Sequence, residues 1–233
     1  MSWESSAEYY RIINQHIKHR LGGLHSAQCL LYSVDFAHIE ALQKRGAWEE
    51  AGSTLSDAAQ RLERGGADFV VLCTNTMHKV ASAIQTAIGI PLLHIADPTA
   101  QAIERQGIRT VGLLGTRFTM EQEFYKGRLT EQYGLNVLVP ASDDQAVVHR
   151  IIYQELCRGQ IVAESRLAYQ AIMARLVNDG AEAIILGCTE IGLLVQAHDS
   201  DVPLFDTTKL HAQAAAEYAI DNRGAVKEAV ATQ

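Results

Sequence analysis

The sequence is short of most features that would give a function away directly. Its four cysteines, Cys29, Cys73, Cys157 and Cys188, form no C-x-x-C pair in 233 residues. That is too sparse for a disulfide scaffold and wrongly spaced for structural zinc, so a reduced, cytoplasmic protein is expected. Nine histidines are scattered, none at H-x-x-x-H spacing around an acid, and no metal is expected. A basic patch is also absent: 20 Lys and Arg against 27 Asp and Glu leave a formal net charge of −7. This argues against nucleic acid or an anionic membrane as the main partner. No apolar run approaches the length of a membrane span. The opening Met1-Ser2-Trp3-Glu4-Ser5 has neither the basic nor the apolar region of a signal peptide.

What is there is an ordinary globular composition, 48% hydrophobic and 20% charged, with length enough for one large domain or two small ones. Short apolar runs alternate with amphipathic stretches, the pattern of a parallel α/β architecture. The expected strands are Ser26–Ser33, Phe69–Cys73, Leu92–Ile95, Thr110–Leu114, Val137–Val139, Ala183–Leu186 and Pro203–Phe205. Helices are expected over Glu49–Gly65, Met120–Tyr133 and Glu164–Asp179, among others.

The chain also resembles itself. "RLERGGADFVVLCTNT" (61–76) lies over "RLVNDGAEAIILGCTE" (175–190) without a gap, at a shift of 114 residues. A fainter echo, "AEYYRII" (7–13) against "QEFYKGR" (122–128), falls at nearly the same shift. The reading is two pseudo-symmetric open parallel-sheet α/β domains with the active site in the cleft between them. One is expected to span 1–97 plus 208–233 and the other 98–207. In the second half the helix at Phe124-Tyr125 follows the strand of "TVGLLGT" (110–116); the first half has no equivalent before its helix. The first strand of the first domain is therefore expected to be missing.

Ligands of open α/β sheets bind beyond the carboxyl ends of the strands, where helix N-termini present free N–H groups. Three segments belong there: Thr74-Asn75-Thr76, Gly115 to Thr119, and Cys188-Thr189-Glu190. Capping accounts for any one of their hydroxyl or amide residues; three such ends, two related by the repeat, point to a shared anion site. The repeat sets Cys188 opposite Thr74, not opposite Cys73. A thiol at a helix N-terminus is expected to have its thiolate favoured, ready to act as nucleophile, redox group or general base. Cys29 and Cys157 read as buried or incidental, and Cys73 as core packing.

At these residues the sequence resembles the aspartate/glutamate racemase family, and closest to its bacterial branch of L-aspartate/glutamate-specific or broad-specificity amino-acid racemases. "MSWES" (1–5), "LCTNTMHKV" (72–80), "LLGTRFTMEQEFYKGRL" (113–129) and "GCTEIGLLV" (187–195) carry the resemblance. It implies a cofactor-independent isomerase, commonly a homodimer, that racemises a small amino-acid substrate without pyridoxal phosphate or metal. Two cysteines usually serve the two faces of the α-carbon; here Cys188 holds one position and Thr74 the other. An alcohol scarcely ionises near neutral pH, so the expected enzyme is asymmetric. Cys188 abstracts the α-proton of L-aspartate, L-glutamate or a related amino acid, Thr74 stands on the reprotonating face, and conversion from D to L is slow or absent.

By the same resemblance Asn75, Thr76, Thr116, Thr119 and Thr189 hold the substrate carboxylate and amino group, and Glu190 orients or binds the ammonium. Met1 and Ser2 belong to a loop lining the site. Arg117 is a possible anchor for a side-chain carboxylate, solvent exposure being as plausible. The lysine that some relatives carry near Cys157 is absent, with Arg158 a weak substitute. His78 suits packing or a supporting role equally. Two other functions fit a lone site cysteine: an arylmalonate-decarboxylase-like enzyme, and a non-catalytic small-molecule binding protein.

Overall fold

The computed structural model describes residues 1–231, with side chains described to residue 222; the last two residues of the expected 208–233 segment lie outside the described residues. The chain opens with helix α1 (Trp3–Leu21). Ser2 caps it by accepting from the Ser5 N–H, Glu4 lies in its first turn, and Lys18, His19 and Arg20 lie in its last, all matched to the helix dipole. Then follow α2 (Phe36–Arg45), α3 (Trp48–Arg64), β1 (Val70–Val71), a 3-10 turn over Thr76–Val80, α4 (Ala81–Thr86), β2 (Leu92–Leu93) and α5 (Ala96–Glu104). The second unit runs β3 (Thr110–Gly115), α6 (Arg117–Glu121), α7 (Glu123–Tyr133), β4 (Asn136–Leu138), α8 (Ser142–Gln154), α9 (Ala163–Asn178), β5 (Ala183–Gly187), α10 (Ile191–Leu194) and β6 (Leu204–Asp206). The last helix, α11 (Thr207–Ala231), packs back on α1 and α5.

All strand pairs are parallel, in the order β4-β3-β5-β6 for the second sheet and β1-β2 for the first. Period-2 alternation sorts the apolar side chains of the second sheet onto two faces. Leu114, Ile184 and Leu186 meet α8 and α9 through Val148, Ile151, Tyr169, Ile172 and Leu176. Val111, Leu113, Ala183 and Ile185 face the other way, onto Ala100, Ile103, Tyr125 and Leu129. The fold is the expected α/β one with parallel sheets. A smaller core holds the first unit, where Val70 and Leu72 pack on Leu42, Leu55, Val80 and Ile84.

Two expectations are corrected. The helix read over Met120–Tyr133 is broken at Gln122, whose extended backbone (φ −98°, ψ 151°) separates α6 from α7. The strand expected over Ser26–Ser33 does not form: the segment carries no strand pairing, and Leu30, Leu31 and Tyr32 are exposed. The repeat explains this. It sets β1 over β5, so the first unit's counterpart of β3 would stand beside β1, with Ser26–Ser33 beyond it as the counterpart of β4. No counterpart of β3 stands there among the described residues, and a strand without a neighbour has no partners for its backbone N–H and C=O groups.

Candidate active site

Two glycines bring the second sheet's reactive ends together. Gly115 of β3 and Gly187 of β5 are in register. A Cβ on Gly115 would lie 2.8 Å from the Gly187 carbonyl oxygen, and one on Gly187 would lie 2.8 Å from that of Leu114. Only bare backbones pass this closely, and the chain leaves them directly into Thr116 and Cys188. Thr116 then caps α6, its hydroxyl accepting from the Thr119 N–H at 3.3 Å. In the first unit the chain leaves β1 through Leu72 and Cys73 into Thr74-Asn75-Thr76. The helices that follow are short, four or five residues in α10, α6 and the 3-10 turn, so their dipoles add little.

These ends meet in one small cleft, lined by Met1, Ser2, Thr74, Asn75, Thr76, Thr116, Cys188, Thr189 and Glu190. Thr119, expected to hold the substrate, does not line it. It is fully buried one layer back, with its hydroxyl 3.2 Å from that of Thr116.

Glu190 is the hub. Its Oε1 accepts from Ser2 Oγ at 2.5 Å; its Oε2 accepts from Thr189 Oγ1 at 2.7 Å and from the Cys188 thiol at 3.1 Å. Burial pushes this carboxyl up, but the Met1 ammonium and the three donors outweigh it and hold Glu190 below the usual carboxylate range. The same setting corrects the expectation of a favoured thiolate. Burial first, then the Glu190 and Cys157 charges, push Cys188 well above an ordinary thiol, so it rests as S–H donating to a carboxylate.

Hydroxyls join the two units. Thr76 Oγ1 lies 2.9 Å from Thr116 Oγ1, which in turn touches Thr119, giving a row of three side chains across the cleft. Asn75 donates from Nδ2 to Thr207 at 3.0 Å, while its buried Oδ1 has no partner among the described residues. Thr74 lines the cavity, and its hydroxyl likewise has no protein partner among them. Behind it, His78 holds the Thr74 carbonyl through Nδ1 at 2.7 Å and accepts the Ile95 N–H at Nε2, which assigns the ring proton to Nδ1. His78 therefore supports the site from outside the cavity.

The remaining wall comes from residues the sequence did not single out: Phe36, Gln43, Ile152 and Tyr153. Cys157, read as incidental, also lines it. They sit on α2, on the end of α8 and just after it, and no spacing in the chain links them. Arg117 does not line the cavity; its exposed side chain approaches Glu121 at 4.0 Å, so the idea of a side-chain carboxylate anchor fails, and Arg158 is also outside. Among the described residues no cluster of three or more His, Cys, Asp or Glu is arranged to hold a metal ion. No described helix is long and apolar enough to cross a membrane.

Comparison with known proteins bears on what such a cleft belongs to. The crystal structure of a candidate Asp/Glu racemase from Yersinia pestis superposes with a TM-score of 0.87 at 58% identity, covering 94% of this chain and 96% of that one. An aspartate racemase homologue from Pyrococcus horikoshii OT3 superposes at 0.79 with 32% identity, over 93% and 94%. The broad specificity amino-acid racemase RacX of Bacillus subtilis (strain 168) is 27% identical over 167 residues, 69% of this chain and 68% of RacX. The family model for Asp/Glu/hydantoin racemases matches residues 1–215, a span that takes in both sheets and every residue of the cavity. This chain belongs to the Asp/Glu/hydantoin racemase family.

Proposed function

We propose that the chain is a cofactor-independent amino-acid racemase in which Cys188 removes the α-proton of an L-amino acid and Thr74 serves the opposite face. The observation that carries this is the Cys188 thiol donating to Glu190 at 3.1 Å in a cavity that Thr74 also lines. A neutral thiol is no base, so its proton must leave first, and Glu190 is within reach to accept it. A substrate ammonium arriving beside the sulfur favours this shift of negative charge from Glu190 to Cys188. The thiolate then takes the α-proton, and the electron pair left on carbon delocalises into the carboxylate. Thr189, Thr76, Thr116 and backbone N–H groups at the strand ends supply the donors for that growing charge. The unpartnered Asn75 Oδ1 suits the ammonium.

Reprotonation from the other face draws a proton from the Thr74 hydroxyl, directly or through water; solvent replaces it, and Glu190 releases to solvent the proton it took from Cys188, which closes the cycle. Thr74 as an alcohol cannot readily run this step backwards, so the L-to-D direction dominates. Aspartate, glutamate or a related amino acid is the substrate class. The reading carries with it a homodimer in a reducing cytoplasm, the setting that keeps free the four cysteines seen unpaired here.

The test is α-proton exchange in deuterated buffer with the wild type, Cys188→Ala and Thr74→Cys. Exchange of L-substrate should vanish in Cys188→Ala, and D-to-L conversion should rise in Thr74→Cys. Exchange that survives loss of Cys188 overturns the proposal, and carbon dioxide release from an arylmalonate would favour the decarboxylase instead.

A further inference from the structure

The cavity has a side that the proton transfers do not use. Thr74 and Cys188 flank the reacting carbon, and the threonines and Asn75 take the carboxylate and ammonium. The substrate side chain is left to Phe36, Gln43, Ile152, Tyr153 and Cys157. The Phe36 and Tyr153 rings stack with centroids 6.5 Å apart and planes 17° from parallel. The Tyr153 hydroxyl donates to Gln43 Oε1 at 2.9 Å, and Gln43 Nε2 donates to the Met77 sulfur at 2.9 Å, which fixes the amide in place. Burial, followed by the nearby Cys188 and Cys157 thiols, pushes Tyr153 up, so this wall is neutral throughout.

That wall offers a second carboxylate no cation among the described residues. Among the described residues no Lys, Arg or His side chain lines the cavity. The nearby cations are engaged elsewhere, Lys79 with Gln122 and the face of Trp48, Arg117 with Glu121. The one positive group at the cavity is the Met1 ammonium, which donates to the Cys73 carbonyl at 2.6 Å and holds Glu190 ionised. A dicarboxylic amino acid would thus set an unpaired carboxylate against apolar rings and in the field of a buried Glu190.

We infer that the site takes an L-amino acid with a short uncharged side chain, and that Gln43 and Tyr153 select it. This rests on the racemase reading of the same cavity. The second amide hydrogen of Gln43 and a lone pair on the Tyr153 hydroxyl remain open to a hydroxyl or amide group on the substrate. A methyl or thioether group packs on Phe36 and Ile152. Two like charges roughly 6 Å apart at an effective dielectric near 20 disfavour the dicarboxylate by about 100-fold.

The experiment measures deuterium incorporation at the α-carbon of L-alanine, L-serine, L-glutamine, L-methionine, L-aspartate and L-glutamate, with the full chain and with Cys188→Ala. The expected result is Cys188-dependent exchange of at least one uncharged substrate, with kcat/KM about 100-fold above aspartate and glutamate. Aspartate or glutamate exchanging as fast as the best uncharged substrate overturns this inference and leaves the racemase reading standing. Exchange of none of the six overturns both, a pattern that separates the two failures. Gln43→Lys supplies the missing cation and should raise the ratio of glutamate to uncharged exchange about tenfold; a folded variant with an unchanged ratio removes Gln43 from the selecting wall.

Discussion

Two buried histidines, His78 and His211, and the half-buried His94 stand behind Thr74, and mild acid acts on them. The ring centroids of His78 and His94 are 4.4 Å apart, those of His78 and His211 6.0 Å. Burial, followed by the Arg128 charge and the competing His211 ring, holds His94 down at about 3; burial and His78 hold His211 down at about 3. His78 is likewise held well below its ordinary value, by burial and His94. In the unfolded chain each titrates near 6.5. Above that pH neither state carries the proton and the full stability is present. Below it the unfolded chain binds protons that the folded one refuses, so stability is lost progressively from about pH 6.5 towards about pH 3. Between pH 7.5 and 5.5 each histidine removes about 1.4 kcal/mol, or about 3 kcal/mol for His94 and His211 together, with His78 adding in the same sense. Asp206, pushed up by burial, opposes this loss, so the comparison that isolates the rings is wild type against His94→Leu. Urea titrations at pH 7.5, 6.5 and 5.5 should show the variant losing about 1.4 kcal/mol less than wild type. Equal losses in the two proteins would refute the burial argument.

Glu190→Gln keeps the shape of the hub and removes the acceptor for the Cys188 proton. Substrate exchange should fall by about 100- to 10,000-fold in kcat. Cys188 should at the same time alkylate faster, since a charge that raises its pKa is gone; unchanged exchange would take Glu190 out of the proton path. Gly187→Ala drives a methyl to 2.8 Å from the Leu114 carbonyl oxygen and 2.8 Å from a Leu113 methyl. Thermal unfolding should register a loss of about 1–3 kcal/mol, and an unchanged melting temperature would mean the β3 and β5 ends can part freely.

What could be read in the chain was whatever local pattern dictates. Ala183–Gly187 is a run of apolar residues bounded by turn signals, and it is a strand because both its faces are covered by helices. The ungapped repeat pointed to Thr74 and Cys188, and both line the cavity. Patterns whose outcome depends on a distant neighbour were not legible. Ser26–Ser33 has the composition of a strand, but a strand needs an adjacent edge that no local residue supplies. The ionisation state of Cys188 depends on burial and on a carboxylate two residues away, while the dipole of a four-residue helix is too weak to reverse it. Gln43 and Tyr153 are 110 residues apart and meet only through the packing of α2 near the end of α8.

The bond from Ser2 to Glu190 spans 188 residues, and it bears on how the protein is made. During synthesis Ser2 leaves the ribosome 188 residues ahead of Glu190. Until β5 has left the exit tunnel, α1 has its cap but the carboxylate that Ser2 serves does not exist. No fragment that stops short of Glu190 therefore holds this hydrogen-bond hub. The hub is complete only once the segment that carries β5 has closed onto the segment that carries Ser2.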